Sequence, residues 1–198
     1  HNQPFLADAD STVPGWLLQD LLIGQLVLLV AFAHLVRREA HIALPMYCWA
    51  VGLTELVTEL IKNYVGRLRP QYYEACGWDD ATHTCTWDPA RMPDPALPMD
   101  EESHSFPSGH SSMSMFSLLY ASWCLLGAAR LGRPLRVKGV DVGGPAVLAC
   151  LAPFGLAVFI AASRVVDNDH WPADVVTGAV LSPRGYSFGE SRRRRGCD

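Results

Sequence analysis

His170 and Asp174 stand four residues apart in "SRVVDNDHWPADVV", one turn if a helix holds them. The carboxylate is then expected to accept a hydrogen bond from one imidazole nitrogen and leave the other free. That is the orienting role of aspartate in a serine-hydrolase triad, with histidine promoted from base to nucleophile. Arg164, in the same stretch, offers a planar donor fork suited to phosphate. Asp167 and Asp169 read as loop or helix-capping residues rather than metal ligands, because the spacing of a calcium loop is absent.

Two further stretches carry matching chemistry. In "SHSFPSGHSSMSMF", Pro107 is expected in the first turn of a helix, Ser108 supplies a hydroxyl and Gly109 admits close backbone approach. The free N–H groups of such a helix start attract an anion, and His110 stands beside them. Ser111 and Ser112 have a plainer reading as helix caps. In "IKNYVGRLRP", Lys62 and Arg69 are seven residues apart, so they share a face if the helix runs on to Pro70. Arg67 falls on another face of that helix. Glu59 is placed to pair with Lys62, and Glu55 lies a further turn inside; both read as structural support. Basic residues also snorkel at any membrane edge. Cations, helix-start amides and two histidines in one pocket nevertheless describe a phosphate-ester site.

Something must bring these stretches together. The chain has 198 residues, is 49% hydrophobic and carries a net charge of −4. Four apolar runs, Trp16 to Val36, Ile42 to Ile61, Ser111 to Ala129 and Pro145 to Ala162, approach the roughly 20 residues that a membrane-crossing helix needs. A fifth, Asp174 to Leu181, is too short to cross. A soluble bundle is the rival, since Gln25, His34, Glu55 and Glu59 interrupt the runs. Arg37 and Arg38 follow the first run, and Arg130, Arg133, Arg136 and Lys138 follow the third; short basic loops of this kind stay cytoplasmic. By parity, the segments from about Asn63 to Ser105 and from Ser163 to about Ala173 face the extracellular or lumenal side. All three chemical stretches then meet at one membrane face, which argues against a transporter with charges strung across the bilayer.

The outer segment contains Cys76 and Cys85, which could form a disulfide in an oxidising compartment. A zinc site from Cys76, His83, Cys85 and His104 is the alternative, on spacing that fits no standard pattern. Cys48, Cys124 and Cys150 sit in apolar runs as small packing residues. His34, His41 and His83 receive no catalytic role. Residues 1–181 form the expected membrane domain, with an outer loop over about 63–106. Residues 182–198 form a polar, arginine-rich tail that is expected to be disordered.

"KNYVGRLRP", "PSGH" and "SRVVDNDHWPAD" resemble the three signature motifs of the type-2 phosphatidate phosphatase superfamily, K-x6-RP, PSGH and SR-x5-H-x3-D, with no signature position substituted. The likeness runs from about Lys62 to Asp174, over half the chain, and is strongest to the eukaryotic lipid phosphate phosphatases. It implies an all-α, polytopic membrane helix bundle of the phosphatase and haloperoxidase kind, here with about four full spans and a partial fifth. It also implies metal-independent removal of phosphate from lipids such as phosphatidate, with no cofactor. His170 would form a phosphohistidine, Asp174 would orient it, and His110 would protonate the leaving oxygen. Lys62, Arg69, Ser108, Gly109 and Arg164 would bind the phosphoryl oxygens. The expected partners are the lipid substrate and the bilayer of the plasma membrane or an endomembrane. A homo-oligomer is compatible, and nucleic acid is not expected. The family pattern has one more span before the first and a complete sixth after Asp174, so the sequence reads as truncated at both ends. A non-catalytic interaction protein of the same fold and a vanadate-dependent haloperoxidase are the alternative readings.

Overall fold

A computed structural model describes residues 11–32, 40–85, 104–128, 136–137, 140–141 and 143–182. The tail beyond Ser182, residues 86–103 of the outer loop, His34 and the loop residues Arg37, Arg38, Arg130, Arg133 and Lys138 lie outside the described residues.

The described chain is mostly helical. Helix α1 (Gly15–Phe32) starts just after Pro14, whose carbonyl accepts the N–H groups of Leu17 and Leu18. Helix α2 (Ala40–Val65) carries Pro45 inside it and stops at Gly66, whose φ of 57° is the left-handed cap that glycine adopts without penalty. A short turn, α3 (Tyr72–Ala75), leads to a two-residue antiparallel pair, β1 (Trp78–Asp79) with β2 (Thr84–Cys85), in which Trp78 faces Cys85. Cys76 and Cys85 are disulfide-bonded, with Cα atoms 5.2 Å apart. Their sulfurs therefore serve a loop closure instead of a zinc ion.

Helix α4 (Gly109–Ala128) is the central element and packs on α1, α2, α5 and α6. A second small pair, β3 (Arg136–Val137) with β4 (Val140–Asp141), precedes α5 (Gly143–Val166). Pro153 inside α5 removes one N–H from its ladder, and the adjacent Phe154 N–H donates to Ser122 Oγ of α4 at 3.0 Å. Helix α6 (Pro172–Leu181) closes the described structure, with Pro172 at the first helical position.

The distribution of side chains runs opposite to that of a water-soluble bundle. Ser111, Ser114 and Ser117 on α4 are 0% exposed, whereas Leu28 on α1 and Leu148 on α5 are 71% and 72% exposed. Small hydroxylated residues let neighbouring helices approach α4 closely and bond across it. Thr58 Oγ1 donates to Ser112 Oγ at 3.1 Å, and the Gln25 amide donates to the Ser117 carbonyl. The apolar core proper is small: Val13, Leu18, Leu118, Ala157 and Ile160. Of the described helices, α5 alone is long and apolar enough by length and composition to cross a membrane. The four-span expectation meets a physical obstacle in the others. Glu55, Glu59 and Lys62 break the apolarity of α2, the buried serines lower that of α4, and α1 is a shorter apolar helix.

Helix α6 sits close against the start of α4. A Cβ added at Gly178 would fall 2.4 Å from the Ser108 carbonyl oxygen and 3.2 Å from Ser111 Cβ, so the glycine is required by packing. Gly178→Ala must push the two helices apart, at a cost of about 1–3 kcal/mol. The expected result is a clearly lowered unfolding midpoint for the detergent-solubilised variant. An unchanged midpoint would contradict this close seating of α6.

Candidate active site

The three stretches do meet, but through turns and capping rather than through helical periodicity. Lys62 is in the last turn of α2, and Arg69 lies beyond its end in the coil that follows Gly66. The expectation that one continuous helix aligns them is corrected: the left-handed glycine ends the helix before Pro70 can. The two cations are still gathered near the same histidines, because the coil folds back. Its Arg67 carbonyl accepts the N–H of Ser105 at 2.8 Å, which ties it to the approach to α4. Lys62 Nζ also pairs with Glu59 at 2.7 Å.

Pro107 does not enter the first turn of α4; the helix begins at Gly109 and Ser108 is the residue before it. The Ser108 hydroxyl, fully buried, accepts weakly from the Ser111 N–H at 3.4 Å and from Ser111 Oγ at 3.1 Å. It therefore caps the helix, a role the sequence offered to Ser111 and Ser112. A Cβ built on Gly109 would meet Lys62 Nζ at 3.4 Å, so the ammonium lies over the helix start. His110 follows, one residue ahead of the apolar run from Ser111, and its buried Nε2 has no hydrogen-bond partner within the protein.

Arg164, at the end of α5, is 1% exposed and already engaged. Nη1 donates to Asp169 at 2.7 Å, Nη2 to Asp167 at 2.8 Å, and Nη2 and Nε to Ser163 Oγ at 3.2 and 3.3 Å. Asp167 and Asp169 are thus the arginine's carboxylate partners, not simply capping residues. Of the five N–H bonds of a guanidinium, four are occupied, which leaves one to offer an incoming oxyanion. Asp167 is held in turn by Thr12, whose N–H and hydroxyl reach its two oxygens at 2.9 and 2.6 Å. Asp169 also accepts from Gln71 at 3.3 Å. Asn168, at φ 62°, makes the left-handed turn that lets the N–H groups of Asp169 and His170 both bond the Arg164 carbonyl.

The largest departure concerns Asp174. His170 precedes α6 and is not on it, so the four-residue spacing is not one helical turn. Asp174 is the third residue of α6, and its Oδ2 turns back to accept the Trp171 N–H at 3.1 Å, as in half of a capping box. The same oxygen accepts from Ser105 Oγ at 2.6 Å, and Oδ1 pairs with Arg67 Nη1 at 2.8 Å. His170 Nδ1 lies 2.7 Å from the Ser105 carbonyl oxygen instead. A carbonyl can only accept, so Nδ1 carries the proton and Nε2 keeps its lone pair. Ser105 and Arg67 are thus site residues that sequence reasoning missed or set aside. Trp171 completes the corner, donating its indole N–H to the Leu68 carbonyl at 3.1 Å beneath the Arg67 guanidinium.

Burial, then the positive charges of Arg164, Arg69 and Lys62, hold the His110 pKa down at about 3. Burial, then Arg69, and more weakly His110 and Lys62, push His170 well below the ordinary histidine value, against the opposing Ser105 bond. Both rings rest neutral at pH 7. Around them, four cations (Lys62, Arg67, Arg69, Arg164) stand with four carboxylates (Glu59, Asp167, Asp169, Asp174). A dianionic phosphate ester would tip that balance negative and raise the His110 pKa, drawing a proton onto the ring that faces it. The arrangement is therefore suited to an in-line displacement at an oxyanion, with a neutral nitrogen nucleophile and an acid charged by the ligand itself. Among the described residues, no group of three His, Cys, Asp or Glu side chains is placed to hold a metal ion.

Residues 43–183 match the model of the PAP2 superfamily. The chain is 30% identical over 190 residues to a PA-phosphatase related-family protein of Dictyostelium discoideum, covering 94% of this chain and 60% of that protein. It is 28% identical over 195 residues to the probable lipid phosphate phosphatase 4 of Arabidopsis thaliana, covering 93% and 58%. It is 30% identical over 150 residues to phospholipid phosphatase 2 of Rattus norvegicus, covering 69% and 48%. The chain thus spans about half to three-fifths of the length of these relatives. No solved structure matches it.

The neutral histidines make stability depend on pH with a definite sign. The unfolded chain takes up protons as pH falls below about 6.5, while the folded site does not until about 3 at His110. Stability is therefore fully present above about pH 6.5 and is lost as pH falls, by at most about 1.4 kcal/mol per pH unit for each histidine. The unfolding midpoint of the solubilised chain should drop from about pH 7 to about pH 5, and His110→Gln should flatten that drop. Equal slopes in the two proteins would mean that His110 titrates in the folded site as it does in the unfolded chain.

Proposed function

The chain belongs to the PAP2 superfamily, and we propose that it is a lipid phosphate phosphatase that works without a metal ion through a phosphohistidine. The observation that carries this reading is the pairing of His170, with Nε2 unprotonated, and His110, with Nε2 unpartnered, under the charges of Lys62 and Arg69. The names of relatives in Arabidopsis and rat support a lipid phosphate as the substrate class.

In the first step the His170 Nε2 lone pair forms a bond to phosphorus while the bond from phosphorus to the lipid oxygen breaks. His110, protonated once the dianion is bound, passes its proton to that leaving oxygen. Water then attacks the phosphohistidine, His110 accepts the water's proton, and the N–P bond breaks to release phosphate. Lys62, Arg69, the remaining N–H of Arg164, the Ser108 hydroxyl and the Gly109 N–H stabilise charge on the equatorial oxygens.

The exposed leucines of α1 and α5 and the buried serines of α4 support a bundle immersed in lipid. Several of the helices then cross the bilayer together, with polar faces turned inward, although α5 alone is apolar enough to do so singly. A substrate can keep its acyl chains in the membrane while its head group enters at the end of the bundle. By the positive-inside argument that end is extracellular or lumenal.

The test is phosphate release from phosphatidate in mixed detergent micelles with excess EDTA. Release should persist with EDTA, vanish in His170→Ala and fall about 100-fold or more in His110→Asn. Release that needs added divalent metal, or that survives in His170→Ala, would overturn the mechanism.

A further inference from the structure

Asp174 is fully buried, and its oxygens are occupied by Arg67, Ser105 and Trp171, none of which is the nucleophile. His170 is held from the other side of Ser105. Its Nδ1 lies 2.7 Å from the Ser105 carbonyl oxygen and 3.4 Å from the Ser105 hydroxyl, and that hydroxyl donates to Asp174 at 2.6 Å. Ser105 is itself 0% exposed, and its N–H is fixed to the Arg67 carbonyl at 2.8 Å. One residue thus touches the coil after α2, the approach to α4 and both chemical residues of the third stretch. Resting on the phosphatase reading above, we propose that Asp174 acts on the His170 ring through Ser105 and not by direct contact, and that Ser105 is the positioning residue of the nucleophile.

The chemistry gives this arrangement a purpose. When Nε2 bonds to phosphorus while Nδ1 keeps its proton, the ring becomes cationic. A directly bonded carboxylate would stabilise that cation strongly and make the phosphorylated enzyme long-lived. A carbonyl orients the ring equally well and stabilises the cation less, so the N–P bond remains easy to break in the second step. The carboxylate contributes by pinning the serine: with Asp174, Arg67 and its own backbone bond in place, the Ser105 carbonyl has a single position relative to the ring.

A double-mutant cycle on the full chain, in the same micelle assay, tests the linkage. Ser105→Ala should lower kcat about 10- to 100-fold with KM changed less than about threefold. Asp174→Asn should lower it similarly, the double variant should be no worse than the poorer single one, and Ser105→Thr, which keeps the hydroxyl, should recover most of the rate. Ser105→Ala within twofold of the parent, or effects that multiply in the double variant, would overturn the proposal.

A second measurement does not depend on turnover. In protein labelled with 15N-histidine, the His170 Hδ1 resonance, identified by its loss in His170→Ala, reports the partner of Nδ1. A carbonyl-bonded proton should persist in both Asp174→Asn and Ser105→Ala and move modestly, by similar amounts. A far-downfield proton that collapses in Asp174→Asn would show a direct carboxylate contact and overturn the proposal. If the parent chain released no phosphate but gave the first NMR result, the phosphatase reading would fail while the positioning role stood.

Discussion

A carboxylate with no access to water must be satisfied by the protein around it, and Asp174 sets that condition for the whole end of the bundle. Leaving a buried charge unpaired costs several kcal/mol, so the fold has to deliver three donors to one point. They come from three separate parts of the chain: Arg67 from the coil after α2, Ser105 from the approach to α4, and the Trp171 N–H from the start of α6 itself. Once these are fixed, little freedom is left. The Ser108 N–H bonds the Asp174 carbonyl at 3.0 Å, which joins the beginning of α4 to the first turn of α6. Gly178 then permits the two helices to close on each other one turn further along. Satisfying one acid and assembling the site are the same structural event.

The rest of the bundle follows from a polar interior. Hydroxyl groups line the buried face of α4, and α1 and α2 reach it through Gln25 and Thr58. In water such a core would gain little over the unfolded chain. In lipid the same contacts have no competing solvent, and close helix approach carries the packing. The polar seam and the site are continuous, since Ser111 lies on the buried face of α4 and bonds the Ser108 hydroxyl.

Much of the membership of the candidate site was legible as short strings. Lys62, Arg69, His110, Arg164 and His170 were read from local residue type and do collect near one another. What could not be read were the connections. Nothing adjacent to Ser105 announces that its carbonyl will hold His170, and nothing near Thr12 announces Asp167, because each is a hydrogen bond between residues 65 or more positions apart. The role of Asp174 was legible but misread. "WPAD" places proline at the first helical position and an acid at the third, which is a helix-start pattern, and it implies that His170 lies outside the helix. The partners of Arg164 went unread for a related reason: the carboxylates three and five residues on were assigned to loops and caps, whereas they take up two of its N–H groups. Helical periodicity also failed at Lys62 and Arg69, where Gly66 was the overlooked stop signal. The apolar runs were visible, but only α5 is apolar enough to stand as a span without its neighbours.

Thr12 gives the architecture a temporal meaning. It grips Asp167 with two hydrogen bonds across 155 positions of sequence, and Asp167 is one of the two counter-charges of Arg164. In a chain made from its N-terminus, the early segment waits through the synthesis of α2 and α4 before its partner exists. Until then the Thr12 N–H and hydroxyl have no Asp167 carboxylate to bond. The surroundings of Arg164 are therefore completed by the pairing of distant segments, not by the stretch that holds His170 alone.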